Sequence, residues 1–334
     1  MSKTIIIAEA GINHNGSFSV ARSMIDKAKQ FKADYIKFQT YRPELLVVRN
    51  SKLAKYQKKN TNFLNQYEML NKYNLSEKDT LKLYKYAKQK KIGFLSTAFD
   101  MESAKFLLKF NMDFAKIPSG EITNFPLINF LSKKYDKIIL STGMSSLKEI
   151  EWAIKIIKKN NVKNKNIFIM HCTSSYPAQS NELNLNFLET LKKKFNVNVG
   201  YSDHTTSKIV PILAVAKGAS IIEKHFTLNK NLKGPDHKSS ILPKEFKEII
   251  SNISKSHICL GKKNKIISSD ELKNKKIARK SIYAKQNIKI GDKFTVDNII
   301  TLRPDKGISA NNWSLLIGKK SKYNFIKNDL IKIK

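Results

Sequence analysis

The sequence lacks several features that would place it in a specialised class of protein. It has only two cysteines, Cys172 and Cys259, which argues against a disulfide framework and fits a reducing cytosol. No apolar run approaches the ~20 residues of a membrane span. The first residues, Met1–Thr4, lead directly into an apolar stretch without a signal-peptide pattern. These absences predict a cytoplasmic globular protein with no membrane partner.

Arginine is also scarce, and this weakens the inference from a positive net charge to a nucleic-acid partner. The 334 residues carry a formal net charge of +35, which often indicates a nucleic-acid partner. Of the 62 basic residues, however, only five are arginine: Arg22, Arg42, Arg49, Arg279 and Arg303. The lysines are spread over every segment and mixed with asparagine, a pattern typical of coding bias. We therefore expect no nucleic-acid partner, and only a general attraction for small anions.

Eight short runs rich in β-branched residues alternate with amphipathic helical runs. The strands are predicted at Thr4–Ala8, Tyr35–Gln39, Gly93–Ser96, Phe114–Ile117, Lys137–Leu140, Ile167–His171, Val197–Tyr201 and Ser220–Glu223. Eight such units in a chain of this length predict an α/β fold, a (β/α)8 TIM barrel. A doubly wound open sheet is the alternative, but it usually has a glycine-rich first turn, and Asn13–Gly16 is not of that type.

Helix boundaries are indicated by capping residues. Ser17 is a plausible N-cap for a helix over Ser17–Phe31. Ser146–Glu149 has the pattern of a capping box before Ile150–Ile157. Pro243 fits the first turn of a helix over Leu242–Ile253.

The chain is predicted to divide into a barrel over residues 1–261, a lysine-rich and partly helical linker over 262–277, and a small β-rich domain over 278–334. Strand-like runs occur at Ser281–Ala284 and Phe294–Val296. A domain of this size is marginal alone, so we expect it to pack on the barrel or on a second subunit. The segment Pro43–Leu75 is longer than a usual loop, as segments that shape a site often are.

Polar residues follow the predicted strands, where a TIM barrel carries its chemistry. His204 and His225 follow two consecutive strands, so their imidazoles should converge, with Asp203 and Glu223 beside them. This arrangement favours an open divalent-metal site over two ordinary strand-end polar residues.

Cations and hydroxyls dominate the other strand ends. Lys37 and Lys116 are joined there by Thr97, Ser119, Ser141, Thr142 and Ser202. Such groups suit a phosphate and a carboxylate, although a lysine in this position can instead extend to solvent. Glu9, Glu121 and Glu223 are candidates for acid–base chemistry or for orienting the cations. Cys172 is predicted to pack in the interior. His14 and His237 are expected to lie near the site, and His257 to be structural.

Several motifs closely resemble those of sialic acid synthases, in order and over almost the whole chain. They are Ala8–Gly16, Lys37–Thr40, Lys116–Glu121, Leu140–Met144, Tyr201–Thr205, Glu223–Thr227 and Gly234–His237. The C-terminal part resembles the small SAF (antifreeze-like, β-clip) domain of the same enzymes, through Ala278–Ser281, Arg303-Pro304 and Gly307–Ser309.

The resemblance implies a barrel that condenses phosphoenolpyruvate with an N-acetylmannosamine-type sugar to a nine-carbon α-keto acid, with release of phosphate. Phosphoenolpyruvate would be held by Lys37, Thr97, Lys116, Ser119, Ser141 and Ser202. The sugar would face Gln39, Glu121, Tyr176 and Asp236. The divalent metal, typically Mn²⁺ or Mg²⁺, would be bound by His204 and His225. The resemblance places Glu9 at the reacting carbons, and we assign catalytic roles to Glu9, Lys37, Lys116 and Glu223.

The resemblance also implies a homodimer in which the SAF domain is swapped, so that its arginine, here Arg303, reaches the partner's sugar site. Two departures occur, at Thr97–Phe99 and at Ser174-Ser175, where the family often has a proline and an asparagine. The acceptor therefore stays open between N-acetylmannosamine and its 2,4-diacetamido-6-deoxy counterpart. A Schiff-base (class I) aldolase acting through Lys37 or Lys116 is the competing enzyme. A carbohydrate-binding protein is a third possibility, but it leaves the catalytic-type residues unexplained.

Overall fold

Eight parallel strands form the first of two compact units in the computed structural model, which describes residues 3–333. The first unit ends at Gly261 and the second begins at Lys262. The strands of the first unit are β1 Ile5–Gly11, β2 Tyr35–Thr40, β3 Gly93–Ala98, β4 Ala115–Ile117, β5 Ile138–Ser141, β6 Ile167–His171, β7 Asn198–Asp203 and β8 Ile221–His225.

The order of these strands is that of a closed barrel. Hydrogen bonds join them in the order β3-β2-β1-β8-β7-β6-β5-β4, and β3 and β4, at the two ends of that order, are in contact. The first strand lies beside the last, with Glu9 opposite His225 and, on its other side, opposite Lys37. The (β/α)8 barrel predicted from the sequence is confirmed, and the open doubly wound sheet is wrong.

Most strands extend further at their C-terminal ends than the hydrophobic pattern predicts. The pattern ends β7 at Tyr201 and β8 at Glu223, whereas the strands continue to Asp203 and His225. Parallel strands buried on both faces are normally apolar, so polar residues in a strand look like its end. Here the backbone pairing continues through them, which holds these side chains on rigid elements.

Helices surround the strands of the first unit. They are α1 Phe18–Gln30, α2 Pro43–Leu46, α3 Lys55–Asn60, α4 Gln66–Tyr73, α5 Glu77–Gln89, α6 Met101–Leu107, α7 Phe125–Lys134, α8 Leu147–Lys159, α9 Phe187–Phe195, α10 Val210–Ala216 and α11 Pro243–Leu260. The predicted Ser17 cap accepts a hydrogen bond from Val20 N, the Ser146–Glu149 capping box is formed, and Pro243 begins α11. None of the helices in the described part of the chain is long and apolar enough to cross a membrane.

The long segment after β2 carries α2, α3 and α4 and has a small hydrophobic cluster of its own. Tyr41, Met69 and Tyr73 pack there with Ile12 from the loop after β1, and half-buried Leu53, Phe63 and Phe99 pack against them. The segment is therefore anchored beside the C-terminal end of the barrel by side-chain packing.

The second unit contains α12 Ser269–Ala278, β9 Ser281–Ala284, β10 Ile299–Leu302 and α13 Trp313–Leu316. The antiparallel strands β9 and β10 pair over a core that includes Ile282, Ile299 and Phe325. The strand predicted at Phe294–Val296 is wrong. Thr295 N instead donates to the Asn298 side chain at 2.8 Å, which places this backbone in a turn, and the partner strand begins at Ile299, five residues after the predicted start.

Candidate active site

A cavity of about 410 Å³ lies at the C-terminal ends of the barrel strands. Thirteen of the fifteen predicted site residues line it: Glu9, Lys37, Gln39, Thr97, Lys116, Ser119, Ser141, Tyr176, Ser202, His204, Glu223, His225 and Asp236. Glu121 does not line it, because its carboxylate turns to Asn124 Nδ2 at 2.6 Å. Arg303 is exposed in the second unit.

Alternation along β7 and β8 decides which strand-end residues enter the cavity. Successive side chains of a strand point to opposite faces, so Ser202 and His204 face inward while Asp203 faces outward. The expectation that Asp203 lies beside the imidazoles is wrong, because its carboxylate pairs with Lys224 on the outer face. Thr142, expected among the hydroxyls of the site, turns to Met170 O at 3.1 Å and does not line the cavity.

Two lysines and two glutamates form a buried charge cluster on the cavity floor. Lys37 Nζ lies 2.8 Å from Glu9 Oε2 and 3.6 Å from Glu223 Oε2. Lys116 Nζ lies 3.5 Å from Glu223 Oε1. Because Lys37 and Lys116 are only 3% and 4% exposed, the alternative that they extend to solvent is wrong. The four formal charges cancel, so an anionic ligand would need a further cation or proton for balance.

Burial and neighbouring charge act differently on the four groups. Burial raises the pKa of Glu9, with Lys37 opposing it, so this carboxyl titrates nearer to neutral pH. Burial also acts to raise the pKa of Glu223, but Lys116 and Lys37 together outweigh it and lower that pKa. Burial lowers the pKa of Lys116, whereas Glu223 and Glu9 overcome burial and raise the pKa of Lys37. Glu9 is therefore the carboxyl suited to exchange a proton.

Hydroxyl groups surround this cluster, and one has no protein partner. Lys37 Nζ donates to Thr97 Oγ1 at 3.1 Å, and Ser202 Oγ donates to Glu223 Oε1 at 3.1 Å. Ser119 Oγ accepts from Gly143 N at 2.9 Å and lies 3.3 Å from Cys172 Sγ. Ser141 Oγ is buried without a hydrogen bond from any described residue. Buried polar groups are normally paired, so this hydroxyl is suited to contact a ligand.

His204 and His225 face each other across the cavity, with ring centroids 5.7 Å apart. Burial lowers the pKa of both imidazoles, which favours the neutral form that binds metals. His204 Nδ1 lies 2.6 Å from Thr173 O, an outer contact that makes Nε2 the acceptor nitrogen of the neutral ring. His225 Nδ1 is buried and unpaired within the described residues. A side chain at Gly11, where φ is +52°, would lie 3.2 Å from His225 Cε1.

These two imidazoles fit a divalent cation as a partial ligand set. No group of three or more His, Cys, Asp or Glu side chains within residues 3–333 is arranged to hold a metal. The remaining coordination positions would have to come from substrate and water, as in an open site.

Asp236 contributes an unpaired carboxyl to the cavity wall. Burial raises its pKa to about 7, and no described residue forms a hydrogen bond or ion pair with its side chain. Its loop is tied to the loop after β1, because Asn13 Nδ2 donates to Ser240 Oγ at 2.9 Å and to Phe226 O at 2.8 Å. His237 Nδ1 lies 2.7 Å from Thr227 Oγ1.

His14, His257 and Cys172 have defined positions in the first unit. His14 is buried, accepts from Gly16 N at 3.1 Å and, like His237, does not line the cavity. His257 Nε2 lies 2.8 Å from Thr4 Oγ1, in agreement with its predicted structural role. Cys172 is buried as predicted, but it also lines the cavity, with Sγ 3.3 Å from Ser119 Oγ.

An apolar wall of the cavity was missed by the sequence reasoning. It consists of Ile12, Tyr41, Leu46, Met69, Leu70 and Phe99, with Tyr56 next to Tyr176. Four of these residues come from the long segment after β2. The length of that segment was the available signal, but nothing in its pattern indicated which side chains turn inward.

Comparisons with known proteins give two family matches and several similar enzymes. Residues 24–265 match the NeuB family and residues 279–334 match the SAF domain. The N,N'-diacetyllegionaminic acid synthase of Campylobacter jejuni is 44% identical, over 99% of this chain and 100% of that protein. The synthase of the same name from Legionella pneumophila is 40% identical, over 96% and 90%.

A solved structure extends the similarity to three dimensions. The N-acetylneuraminic acid (sialic acid) synthetase of Leptospira borgpetersenii, determined in complex with citrate, is 34% identical and covers 82% of this chain and 90% of its own, with a TM-score of 0.73. The barrel, the order of its motifs and the two family matches together show that this chain belongs to the NeuB family and carries a SAF domain at its C-terminal end.

Proposed function

We propose that this protein condenses phosphoenolpyruvate with an N-acetylmannosamine-type sugar to give a nine-carbon α-keto acid and phosphate, as a carbon–carbon bond-forming transferase. The observation that carries the proposal is the buried cluster of Lys37, Lys116, Glu9 and Glu223, beside two neutral imidazoles in one cavity. Lysines and unpaired hydroxyls match the phosphate and carboxylate of one substrate. The apolar wall and Asp236 match the sugar.

Phosphoenolpyruvate would bind on the cavity floor. Lys37 on β2 and Lys116 on β4 are both buried, so their charge acts in a dry site where it counts for more than in water. Ser119 and Ser141 offer hydroxyl protons, and Thr97 and Ser202 orient the charged groups through the bonds described above. The floor is therefore organised before the substrate arrives.

His204 and His225 would hold the divalent cation, Mn²⁺ or Mg²⁺. A cation held there would act as a Lewis acid on the aldehyde oxygen of the open-chain sugar. In the reaction, C3 of phosphoenolpyruvate forms a bond to the aldehyde carbon, whose oxygen takes up a proton and becomes a hydroxyl. Water adds to C2, and the bond between C2 and the phosphate oxygen breaks as the new hydroxyl on C2 loses its proton and becomes the keto group. Glu9, whose pKa is raised by burial, would take the proton from the attacking water. Glu223 would keep both lysines charged and in place.

The sugar would occupy the side of the cavity formed by the long segment after β2. Leu46, Met69 and Phe99 face this side, and an apolar wall favours a deoxy carbon over a hydroxymethyl group. We therefore propose the 2,4-diacetamido-6-deoxy sugar as the preferred acceptor and N-acetylmannosamine as the poorer one. The two relatives named as N,N'-diacetyllegionaminic acid synthases support this choice.

A class I aldolase remains the second candidate, and one observation favours it. Burial lowers the pKa of Lys116, a condition that also activates lysines for imine formation. Borohydride reduction in the presence of pyruvate distinguishes the two, because an imine on Lys116 would be trapped as a stable pyruvyl adduct visible by mass spectrometry. We expect no adduct.

The deciding experiment is a substrate panel scored by phosphate release. Phosphoenolpyruvate is combined with each mannosamine-type sugar, with and without excess EDTA, and then with Mn²⁺ added back. We expect release only with both substrates, loss in EDTA and recovery with Mn²⁺. Full activity in EDTA would contradict the metal role of His204 and His225, and no release with any sugar would contradict the condensation itself.

The C-terminal part is proposed to act across a homodimer. We propose residues 278–334 as a SAF domain joined through a linker over 262–277 to the barrel, with Arg303 reaching the sugar site of the partner. A rigid guanidinium fork suits a sugar hydroxyl or carboxylate. Arg303→Ala should raise the sugar KM, and mixing it with Glu9→Gln protein should restore activity after subunit exchange. Absence of rescue after verified exchange would place Arg303 in its own subunit's site or in none.

A further inference from the structure

Three aromatic rings from three different segments of the chain form a continuous stack in the wall of the cavity. Tyr56 comes from α3, Tyr176 from the loop after β6, and His204 directly follows β7. The rings of Tyr56 and Tyr176 are stacked with centroids 5.0 Å apart, and those of Tyr176 and His204 with centroids 4.3 Å apart. Tyr176 also meets the edge of His225 at 5.9 Å. Tyr176 is thus held between Tyr56 and the imidazole.

The stack restricts a tilt of the His204 ring that its hydrogen-bond contact with Thr173 does not prevent. Nδ1 is held at one point by Thr173 O at 2.6 Å, about which the ring can still tilt. Tyr176 covers one face of the ring and prevents that tilt. Nε2, the nitrogen that faces the cavity, is near Tyr176 Oη at 3.3 Å and Ser202 Oγ at 3.4 Å.

Helix α3 has few other attachments to the barrel. It contributes no buried side chain, and its Asn60 Nδ2 donates to Pro235 O at 3.0 Å, next to Asp236. Within residues 3–333, the one hydrogen bond of the Tyr56 hydroxyl is accepted from Gln57 Nε2 of the same helix, at 3.5 Å. The contribution of Tyr56 to the site is therefore made by its ring and not by its hydroxyl.

We propose that Tyr56 is a positioning residue for the divalent-cation site, because its ring holds Tyr176 against His204 and so fixes the imidazole whose Nε2 faces the cavity. This inference rests on the proposed metal role of His204. Groups that orient a metal-binding histidine typically change metal affinity by 10- to 100-fold when they are removed. Tyr56 acts one ring further out, so the lower end of that range applies.

The ring and the hydroxyl of Tyr176 should have opposite effects on cation binding. The hydroxyl lies at the acceptor nitrogen that a cation would use, so the two compete. Tyr176→Phe keeps the stack and removes the competitor, and it should bind the cation between two- and tenfold more tightly, the factor expected for loss of one ordinary hydrogen bond.

The test is a calorimetric titration of the full-length protein with Mn²⁺ alone, with no substrate present. Tyr56→Ala and Tyr56→Leu should both weaken Mn²⁺ binding by about tenfold, and Tyr56→Phe should stay within about twofold of the unmodified protein. Tyr67→Ala is the matched control, because Tyr67 lies in the same long segment, contacts Arg49 and does not line the cavity. The melting temperature of each variant establishes that the fold is retained.

The outcomes separate the possibilities. Mn²⁺ affinity of Tyr56→Ala within twofold of the unmodified protein would overturn the positioning role, as would an equal loss in Tyr56→Phe and Tyr56→Ala. Weaker binding by Tyr176→Phe would overturn the competition at Nε2. If the unmodified protein binds no Mn²⁺ but still releases phosphate from its substrates, the metal site of the proposed function has failed and not the condensation.

Discussion

The inner and outer faces of β7 and β8 carry similar charged residues in very different conditions. On the outer face, Asp203 and Lys224 form a buried ion pair. Lys224 Nζ also donates to Thr205 O at 2.7 Å, and Asp203 Oδ1 accepts from Thr205 N at 2.9 Å. On the inner face, Glu223 lies between two lysines without a close pair to either, and His225 Nδ1 has no partner among the described residues.

The difference shows how burial alone fails to identify a functional group. Both faces are almost inaccessible to water, and both hold charge. The outer pair satisfies its hydrogen bonds within the protein, so it has nothing left to offer a ligand. The inner groups keep unused donors and acceptors that face a cavity, and unsatisfied buried groups of this kind require a ligand or water. The groups of the inner face are therefore available to a ligand, whereas those of the outer face stabilise the fold.

The largest effect is expected from breaking the outer pair. Lys224→Met leaves Asp203 as an uncompensated buried charge and should lower the free energy of unfolding by about 3–5 kcal/mol. The double variant Asp203→Asn with Lys224→Met should recover part of this loss, because no charge is then left unpaired. Urea unfolding of the single and double variants measures both values. A single variant as stable as the unmodified protein would contradict the structural role.

The unpaired carboxyl of Asp236 is expected to affect stability in a pH-dependent way. Its folded pKa is raised from 3.8 to about 7, so below about pH 3 it is protonated in both the folded and the unfolded states and has no effect. As the pH rises from about 3 to 7, the unfolded state releases this proton first, and the folded state is destabilised relative to it.

Asp236→Asn removes this effect. The variant should match the unmodified protein near about pH 3 and be more stable above pH 7, by as much as about 4 kcal/mol. The quantity to measure is the difference in unfolding free energy between the two proteins across about pH 3 to 8. A difference that does not change with pH would mean that the carboxyl is solvated or paired.

The inner lysines should affect catalysis more than folding. Lys37→Ala and Lys116→Ala each remove a charge-assisted contact and should cost on the order of 2–3 kcal/mol of transition-state stabilisation. The loss should change the kinetic constants for phosphoenolpyruvate more than those for the sugar. Glu9 can take up a proton to keep the cluster neutral, so we expect a smaller loss of stability than for Lys224→Met.

Steady-state kinetics with each substrate varied in turn test the lysine prediction, with exposed Lys148→Ala as the control. If kcat and the phosphoenolpyruvate KM both stay within about twofold of the unmodified protein, the substrate lies elsewhere.

The smallest effect is expected at Tyr201, which also lies on the outer face of β7. Its hydroxyl is buried without a hydrogen bond from any described residue. Tyr201→Phe removes an unpaired polar group and should leave the unfolding free energy unchanged or raise it by about 1 kcal/mol. A clear loss of stability would reveal an ordered water bonded to this hydroxyl, and the outer face would then be fully satisfied.

Much of the fold and most of the candidate site were predictable from the sequence. Eight alternating runs indicated the barrel, because strands and helices each give a characteristic spacing of apolar residues that can be read from neighbouring positions in the sequence. The strand-end residues His204 and His225 were predicted to converge because neighbouring parallel strands end at the same rim. The prediction of a strand at Phe294–Val296 was wrong, because the backbone amide of Thr295 donates its hydrogen bond to the Asn298 side chain and not to a neighbouring strand.

The amino-acid sequence by itself determined the barrel, the rim at which polar groups gather, and the kinds of group available there. Only the tertiary structure decided which groups face the cavity and which are satisfied elsewhere. Asp203 and Glu223 look alike in sequence, yet one residue of register along a strand turns them to opposite faces. Tyr56 and the apolar wall depend on how a long irregular segment folds over the barrel. Periodicity does not encode that path, because it results from contacts between residues far apart in the chain.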